Sequence, residues 1–271
     1  MRGFNPCVSA PRTFRQPRAR ERDRRVRSLE GIRGILLDIE GTTTPIAFVL
    51  EVPYPYARRH LRPHLERHAT SPAYAALFDR LRDEYSADRD AGEDVPAWID
   101  GPPAARLDAL VSYCEWLMNH DRKSTALKEL QGKIWEEGYR RGELVADVFP
   151  DVPRALERWR ARQLQVGIFS SGSVLAQQLL FQHSSAGDLT RFLQSYFDTT
   201  IGKKTETESY RRIATAMSLP PEAVLFVSDV PTELDAAHSA DMHTVLSMRP
   251  GNKPPPAGQR HSVIQTFDEL D

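Results

Sequence analysis

Short apolar runs that close on a polar residue, and then give way to a helical pattern, constrain this chain more than anything else in it. Ile35-Leu36-Leu37 runs into Asp38, Gln165-Val166-Gly167-Ile168-Phe169 into Ser170, and Ala223-Val224-Leu225-Phe226-Val227 into Ser228-Asp229. A further run, His243–Ser247, leads to a proline-rich loop, and Phe197–Ile201 reads as a shorter strand before a basic loop that holds Lys204. Runs without polar alternation are those of strands buried on both faces, as in parallel sheets. Helical patterns lie between them, at 154–163, 173–182, 206–217 and 232–240. Strand–helix alternation demands right-handed crossovers and a sheet covered on both sides. The fold class is therefore α/β, a Rossmann-like doubly wound parallel sheet.

Between the first and second strands the alternation stops. Apolar residues recur at helical spacing near 54–68 (Leu61, Leu65) and 72–86 (Tyr74, Leu77, Leu81, Tyr85). Leu107, Leu110, Val111, Cys114, Leu117 and Met118 form another stripe, and Leu127, Leu130, Ile134 and Trp135 a fourth. The Asp-, Gly- and Pro-rich span 87–103 reads as a loop. An all-helical domain, 49–149, is thus inserted into a core made of 32–48 and 150–271. Trp116, Trp135 and Trp159 read as core residues, and His183 as a helix-end residue.

Residues 1–31 differ in kind. Nine arginines crowd the first 27 positions with few large apolar residues, the composition of a disordered basic extension. Glu21, Asp23 and Glu30 argue against an organelle transit peptide, and no apolar stretch suits a secretory signal. Over the whole chain 36 basic residues face 37 acidic ones, so net charge gives no reason to expect nucleic acid or a membrane surface as partner. No apolar run reaches the roughly 18–20 residues of a membrane helix. The two cysteines, Cys7 and Cys114, fit no disulfide framework, consistent with a cytoplasmic protein, expected as a monomer.

Polar residues recur at strand ends, where ligands of open parallel sheets collect. Asp38 and Glu40, two apart on an extended chain, point the same way, and Gly41 permits the turn that follows. A carboxylate such as Asp38 can attack phosphorus and form an aspartyl-phosphate. Two anions meeting need a cation, and Asp38, a backbone carbonyl near Glu40 and Asp229 are suitable oxygen ligands for Mg2+. Glu40 is suited to give and take the proton. The Ser170 hydroxyl and Ser171 amide would hold a phosphate oxygen, and Lys204 would neutralise the transferring group. Each residue also has a plainer reading. Asp38–Gly41 suits a helix-capping turn, Ser170–Ser173 an N-cap, Lys204 a solvated loop, Asp229 a cap and Glu233 a first-turn acid. The ordered set is far more specific than any member.

That set resembles the four motifs of the haloacid dehalogenase-like phosphotransferases. Leu36–Ile46 (LLDIEGTTTPI), Asp121-Arg122-Lys123 with Ala126–Gly132, and Phe169–Ser173 are similar to the enolase-phosphatase family of methionine salvage. So are Phe197-Asp198-Thr199 with Gly202, Lys204, Glu206, Glu208, Ser209 and Tyr210, and Arg249–Asn252. The resemblance runs from about Ile32 to the C-terminus and leaves out the Arg-rich extension. It implies a haloacid dehalogenase-like core with a helical cap. It also implies one Mg2+ per chain on Asp38, Glu40 and Asp229, and substrate contacts from Ser170, Ser171 and Lys204. The implied substrate is 2,3-diketo-5-methylthiopentyl-1-phosphate, a small phosphorylated diketone, which is enolised and then dephosphorylated. Arg122, Lys123 or Lys128 of the cap would face the diketone, because enolisation builds negative charge on a carbonyl oxygen. A phosphomonoesterase for another substrate and a non-catalytic scaffold of the same fold remain as alternatives.

Overall fold

The computed structural model describes residues 28–271. The Arg-rich stretch and Cys7 lie outside the described residues. Six strands form one parallel sheet: β1 Gly34–Leu37, β2 Gln165–Phe169, β3 Ser195–Phe197, β4 Val224–Ser228, β5 His243–Ser247 and β6 Ser262–Ile264. Their order is β3-β2-β1-β4-β5-β6. β1 is central, with Leu37 level with Ile168 on one side and Val227 on the other. All four residues of β1 are buried, as a strand flanked on both edges and covered on both faces requires. The order reverses at β1, which is where such sheets open a crevice beyond their carboxyl ends.

Between β1 and β2 stand α1 Ile46–Glu51, α2 Pro53–His68, α3 Pro72–Asp90, α4 Pro103–Asn119, α5 Thr125–Arg140 and α6 Asp151–Ala161. Proline begins α2, α3 and α4, where its missing N–H costs no hydrogen bond. Ser124 caps α5 by accepting from the Leu127 N–H at 2.8 Å. α7 Val174–Gln182, α8 Thr207–Ala216 and α9 Pro231–His238 cross over between the later strands. Leu61, Leu65, Leu77, Leu81 and Leu130 are all buried, as their helical spacing requires.

The structure departs from the sequence expectation in four places. α3 continues to Asp90 because Asp88 accepts from the Tyr113 hydroxyl at 2.8 Å, so the loop starts at Ala91. The third strand lies at Ser195–Phe197 rather than from Phe197 onward. Thr200 N–H and Oγ donate to Asp198 Oδ1 at 2.9 and 2.5 Å, a local turn that ends the strand. The short helix α1 and the edge strand β6 were not expected, being too short to show a period. Finally, Trp159 is fully buried against Phe267 and Trp116 nearly so, but Trp135 is only partly buried and lines a cavity. His183 terminates α7 and stacks on Tyr139. At the start of the described chain Leu29 is buried and donates its N–H to Asp271 O at 2.7 Å.

Candidate active site

Asp38 follows the last residue of β1, its N–H bonded to Val227 O at 3.0 Å in continuation of the ladder. The carboxylate is almost fully buried. Oδ1 accepts from the Ile39 N–H at 2.8 Å and from Lys204 Nζ at 2.6 Å. Ser228 Oγ lies 3.2 Å from Oδ2. Lys204 also reaches Glu233 Oε2 at 2.7 Å, so one ammonium bridges two carboxylates. Burial by itself would lower the Lys204 pKa, but Asp38 and Glu233 outweigh it and the group is held above its ordinary value, firmly charged.

The turn after Glu40 explains how Asp229 arrives beside this pair. Gly41 has φ +69°, and a Cβ there would meet Asp229 Oδ2 at 2.4 Å and Asn252 Oδ1 at 3.0 Å. Glycine is needed both for the left-handed backbone and for the approach of the carboxylate. Asn252 fixes the same turn by donating from Nδ2 to Gly41 O at 2.9 Å. Arg249, fully buried, donates to Thr42 O at 3.0 Å and pairs with Asp151 at 2.9 Å. Burial and the nearby Asp38 charge push Asp229 up to about 7. The same two causes, in that order, raise Glu40 and Glu233. Ser228 Oγ has one proton to offer between Asp38 and Glu233 Oε2, the latter 3.0 Å away.

Beyond β2, Ser170 is buried and its Oγ accepts from the Gly172 N–H at 3.2 Å. Gln177 ties this loop to β3, donating to Gly172 O at 2.9 Å and Phe197 O at 2.8 Å. The helix cap is Ser173, whose Oγ accepts from the Ala176 N–H, which leaves Ser170 and Ser171 for other work. Asp229 makes no side-chain cap to α9 either.

One cleft is lined by all six residues named from the sequence: Asp38, Glu40, Ser170, Ser171, Lys204 and Asp229. Glu233, read from sequence only as a first-turn acid, is the residue that reasoning missed. Its signal is its place one turn into a helix whose N-terminus follows a strand-end acid. Of the cap cations, Lys123 lines the cleft and Lys128 Nζ lies 3.4 Å from Ser171 O. Arg122 does not line the cleft. It is bound to Asp88 and Glu93 and lies over the Trp116 ring, because two carboxylates outcompete a solvated cleft.

The acids and serines facing the cleft offer oxygen ligands, the chemistry a hard divalent cation takes, and the Asp38 charge, which adds to burial in raising the Asp229 pKa, would be offset by such a cation. Glu40 could enter a metal shell through its backbone carbonyl, which would leave its carboxyl for proton transfer.

A family model for haloacid dehalogenase-like hydrolases matches residues 32–241. Enolase-phosphatase E1 of Synechococcus elongatus is 50% identical over 236 residues, which is 87% of this chain and 96% of that protein. Enolase-phosphatase E1 of Sorangium cellulosum is 45% identical over 238 residues, 88% of this chain and 97% of that one. The crystal structure of the UTR4 protein of Saccharomyces cerevisiae superposes with a TM-score of 0.70 at 35% identity, covering 88% of this chain and 99% of that chain. A dehalogenase solved as an intermediate complex, 19% identical with a TM-score of 0.50, covering 89% of this chain and 96% of its own, shares the fold. This chain belongs to the haloacid dehalogenase-like hydrolases and, among them, to the enolase-phosphatase family.

Proposed function

We propose that this protein converts 2,3-diketo-5-methylthiopentyl-1-phosphate to the acireductone 1,2-dihydroxy-3-keto-5-methylthiopentene and phosphate, in methionine salvage. Residues 49–149 serve as the cap over a core of 32–48 and 150–271, and the chain works as a cytoplasmic monomer. The observation that favours this substrate over other phosphomonoesters is an apolar cavity beside the polar cleft. Phe48, Val49, Tyr54, Trp135 and Leu180 wall it, and it shares Glu40 and Ser170 with the cleft. A molecule with a phosphate at one end and a methylthio group at the other fits both at once. Thioether sulfur packs well against aromatic rings, and each buried methylene contributes about 0.8 kcal/mol.

In the phosphatase step Asp38 attacks phosphorus, held in one orientation by Lys204, Ser228 and the Ile39 amide. An aspartyl-phosphate forms as the enol oxygen leaves, and water then frees the phosphate. Glu40, whose pKa is raised by burial and by the Asp38 charge, gives a proton to the leaving oxygen and takes one from the attacking water. Lys204 neutralises charge on the phosphoryl oxygens, and the Ser170 hydroxyl and Ser171 amide hold one of them. Mg2+, held by Asp38, Asp229 and the Glu40 carbonyl, would supply the positive charge that lets two anions approach. For enolisation, we assign Lys123, which lines the cleft, and Lys128, beside Ser171 O, to the developing enolate. Replacing each with Met should slow enol formation, and an unchanged rate in both would discard that assignment.

The test is incubation with the diketone phosphate and Mg2+, reading enol absorbance and free phosphate together. Both should appear, stop on chelation and resume on adding Mg2+. Free phosphate without any enol would favour a phosphomonoesterase of another substrate.

A further inference from the structure

A cluster in the helical insert lies outside everything used above. His64 and His68 are four apart at the end of α2, hence on one face of it, with ring centroids 4.6 Å apart. Glu137 of α5 meets both. His64 Nδ1 is 3.1 Å from Oε2 and His68 Nε2 is 3.6 Å from Oε1. Each residue offers one ligand atom, and the three lie within 4.8 Å of one another. Among the described residues they are the only such trio.

We propose that His64, His68 and Glu137 bind a divalent transition metal of the Zn2+ type, bracing α2 against α5. Bonds of about 2.0–2.2 Å in a tetrahedral shell set the ligand atoms about 3.3–3.6 Å apart, and the separations here, 3.1 Å to one Glu137 oxygen and 3.6 Å to the other, lie close to that spacing. The nitrogens of a ligating imidazole have distinct tasks: one binds, while the other hydrogen-bonds and fixes the ring. His64 has this arrangement. Its Nδ1 faces the trio and its Nε2 lies 2.9 Å from the Tyr74 hydroxyl. Tyr74 also stacks on the His68 ring at 4.3 Å and 10°, so one tyrosine positions both histidines.

His68 supplies the second observation. Its Nε2 is buried and has no hydrogen-bond partner. At 3.6 Å from Glu137 Oε1 it is within ion-pair range but too far for a hydrogen bond, whereas buried polar groups are normally hydrogen-bonded. Two guanidiniums oppose a cation here. Arg67 hydrogen-bonds Glu137 Oε2, and Arg141 Nη2 is 3.8 Å from Oε1. Both are about 40% exposed, at 40% and 42%, and can turn out to solvent. The three protein ligands leave one position for water.

The test uses the full chain in excess Mg2+, titrated with Co2+ and then Zn2+. One Co2+ per chain should bind with the intense d–d absorption of a tetrahedral nitrogen and oxygen shell, and Zn2+ should displace it and raise Tm. His68→Gln and Glu137→Gln should each weaken binding by on the order of 100-fold, and Tyr74→Phe by about 10-fold, as losses of a ligand and of its supporting partner do. His68 is partly exposed at a helix end, so His68→Gln should retain its circular dichroism and its phosphate release. No tetrahedral spectrum at stoichiometric Co2+ would overturn the proposal. So would a spectrum unchanged in His68→Gln and Glu137→Gln, or one dominated by thiolate charge transfer, which would place the metal on cysteine.

Discussion

Gly41→Ala tests the approach on which the acidic cleft is built. The added Cβ would lie 2.4 Å from Asp229 Oδ2, whereas non-bonded atoms settle at about 3.5 Å. The carboxylate must therefore retreat by about 1 Å, and a misplacement of that size at reacting groups costs about 100-fold in rate. The backbone adds its own cost, since a left-handed alanine is about 1–2 kcal/mol less stable than glycine there. Gly142 separates the two effects. It has the same φ of +69° but nothing within 4 Å of its Cβ position. Both variants should lose about 1–2 kcal/mol in a denaturant melt. Only Gly41→Ala should lose about 100-fold in kcat, with a higher Mg2+ requirement, measured by phosphate release across a Mg2+ titration. Gly41→Ala with kcat and Mg2+ half-saturation like the parent would refute the reasoning. So would equal activity losses in the two variants.

Lys204→Met removes an ammonium shared by Asp38 and Glu233, and should cut kcat by about 100- to 1000-fold. A steady-state assay at saturating substrate checks this, and a kcat within threefold of the parent would remove Lys204 from the charge-neutralising role. Filling the apolar cavity with Ala176→Phe should lower kcat/KM for the methylthio substrate by about 10-fold or more, because the tail loses its burial. Its kcat/KM for a small phosphomonoester lacking the tail should stay near the parent's; a parallel fall in both would reject the tail assignment. The acid limb of stability should involve Glu137. Burial opposes its ionisation, but His64 and Arg67 outweigh that and depress its pKa to about 2. A carboxyl depressed in the fold stabilises it above the ordinary value near 4.5 and loses that contribution as pH falls toward 2. In chelator, the parent should therefore lose more stability than Glu137→Gln across that window, as read by urea melts; identical slopes would contradict it.

The sheet and the site were legible because strand ends advertise themselves. Asp38, Ser170 and Asp229 each close an apolar run, and a parallel sheet brings the carboxyl ends of its strands to one side. Lys204 was less exposed to inference, since its loop follows a three-residue strand whose bounds are set by the Asp198–Thr200 turn. Glu233 escaped because an acid in the first turn of a helix has an ordinary explanation in the helix dipole. Only the folded chain brings it to share Lys204 with Asp38. Arg122 misled for a related reason: a cation in a family-like motif looks available, and its carboxylate partners lie 29 and 34 residues away in sequence. The edge strand β6 and helix α1 are too short for periodicity to register. They are fixed by what they cover, as Phe48, Val49 and Ile264 are buried.

The central claim is that Asp38 carries the phosphoryl group in turnover. Acid-quenching the enzyme within a single turnover of substrate bearing a radiolabelled phosphoryl group, followed by peptide mapping, addresses it directly. The account predicts base-labile label on the peptide containing Asp38, and neither label nor phosphate release in the nearly isosteric, still folded Asp38→Asn. Label on another residue, or substantial turnover by Asp38→Asn, would contradict it.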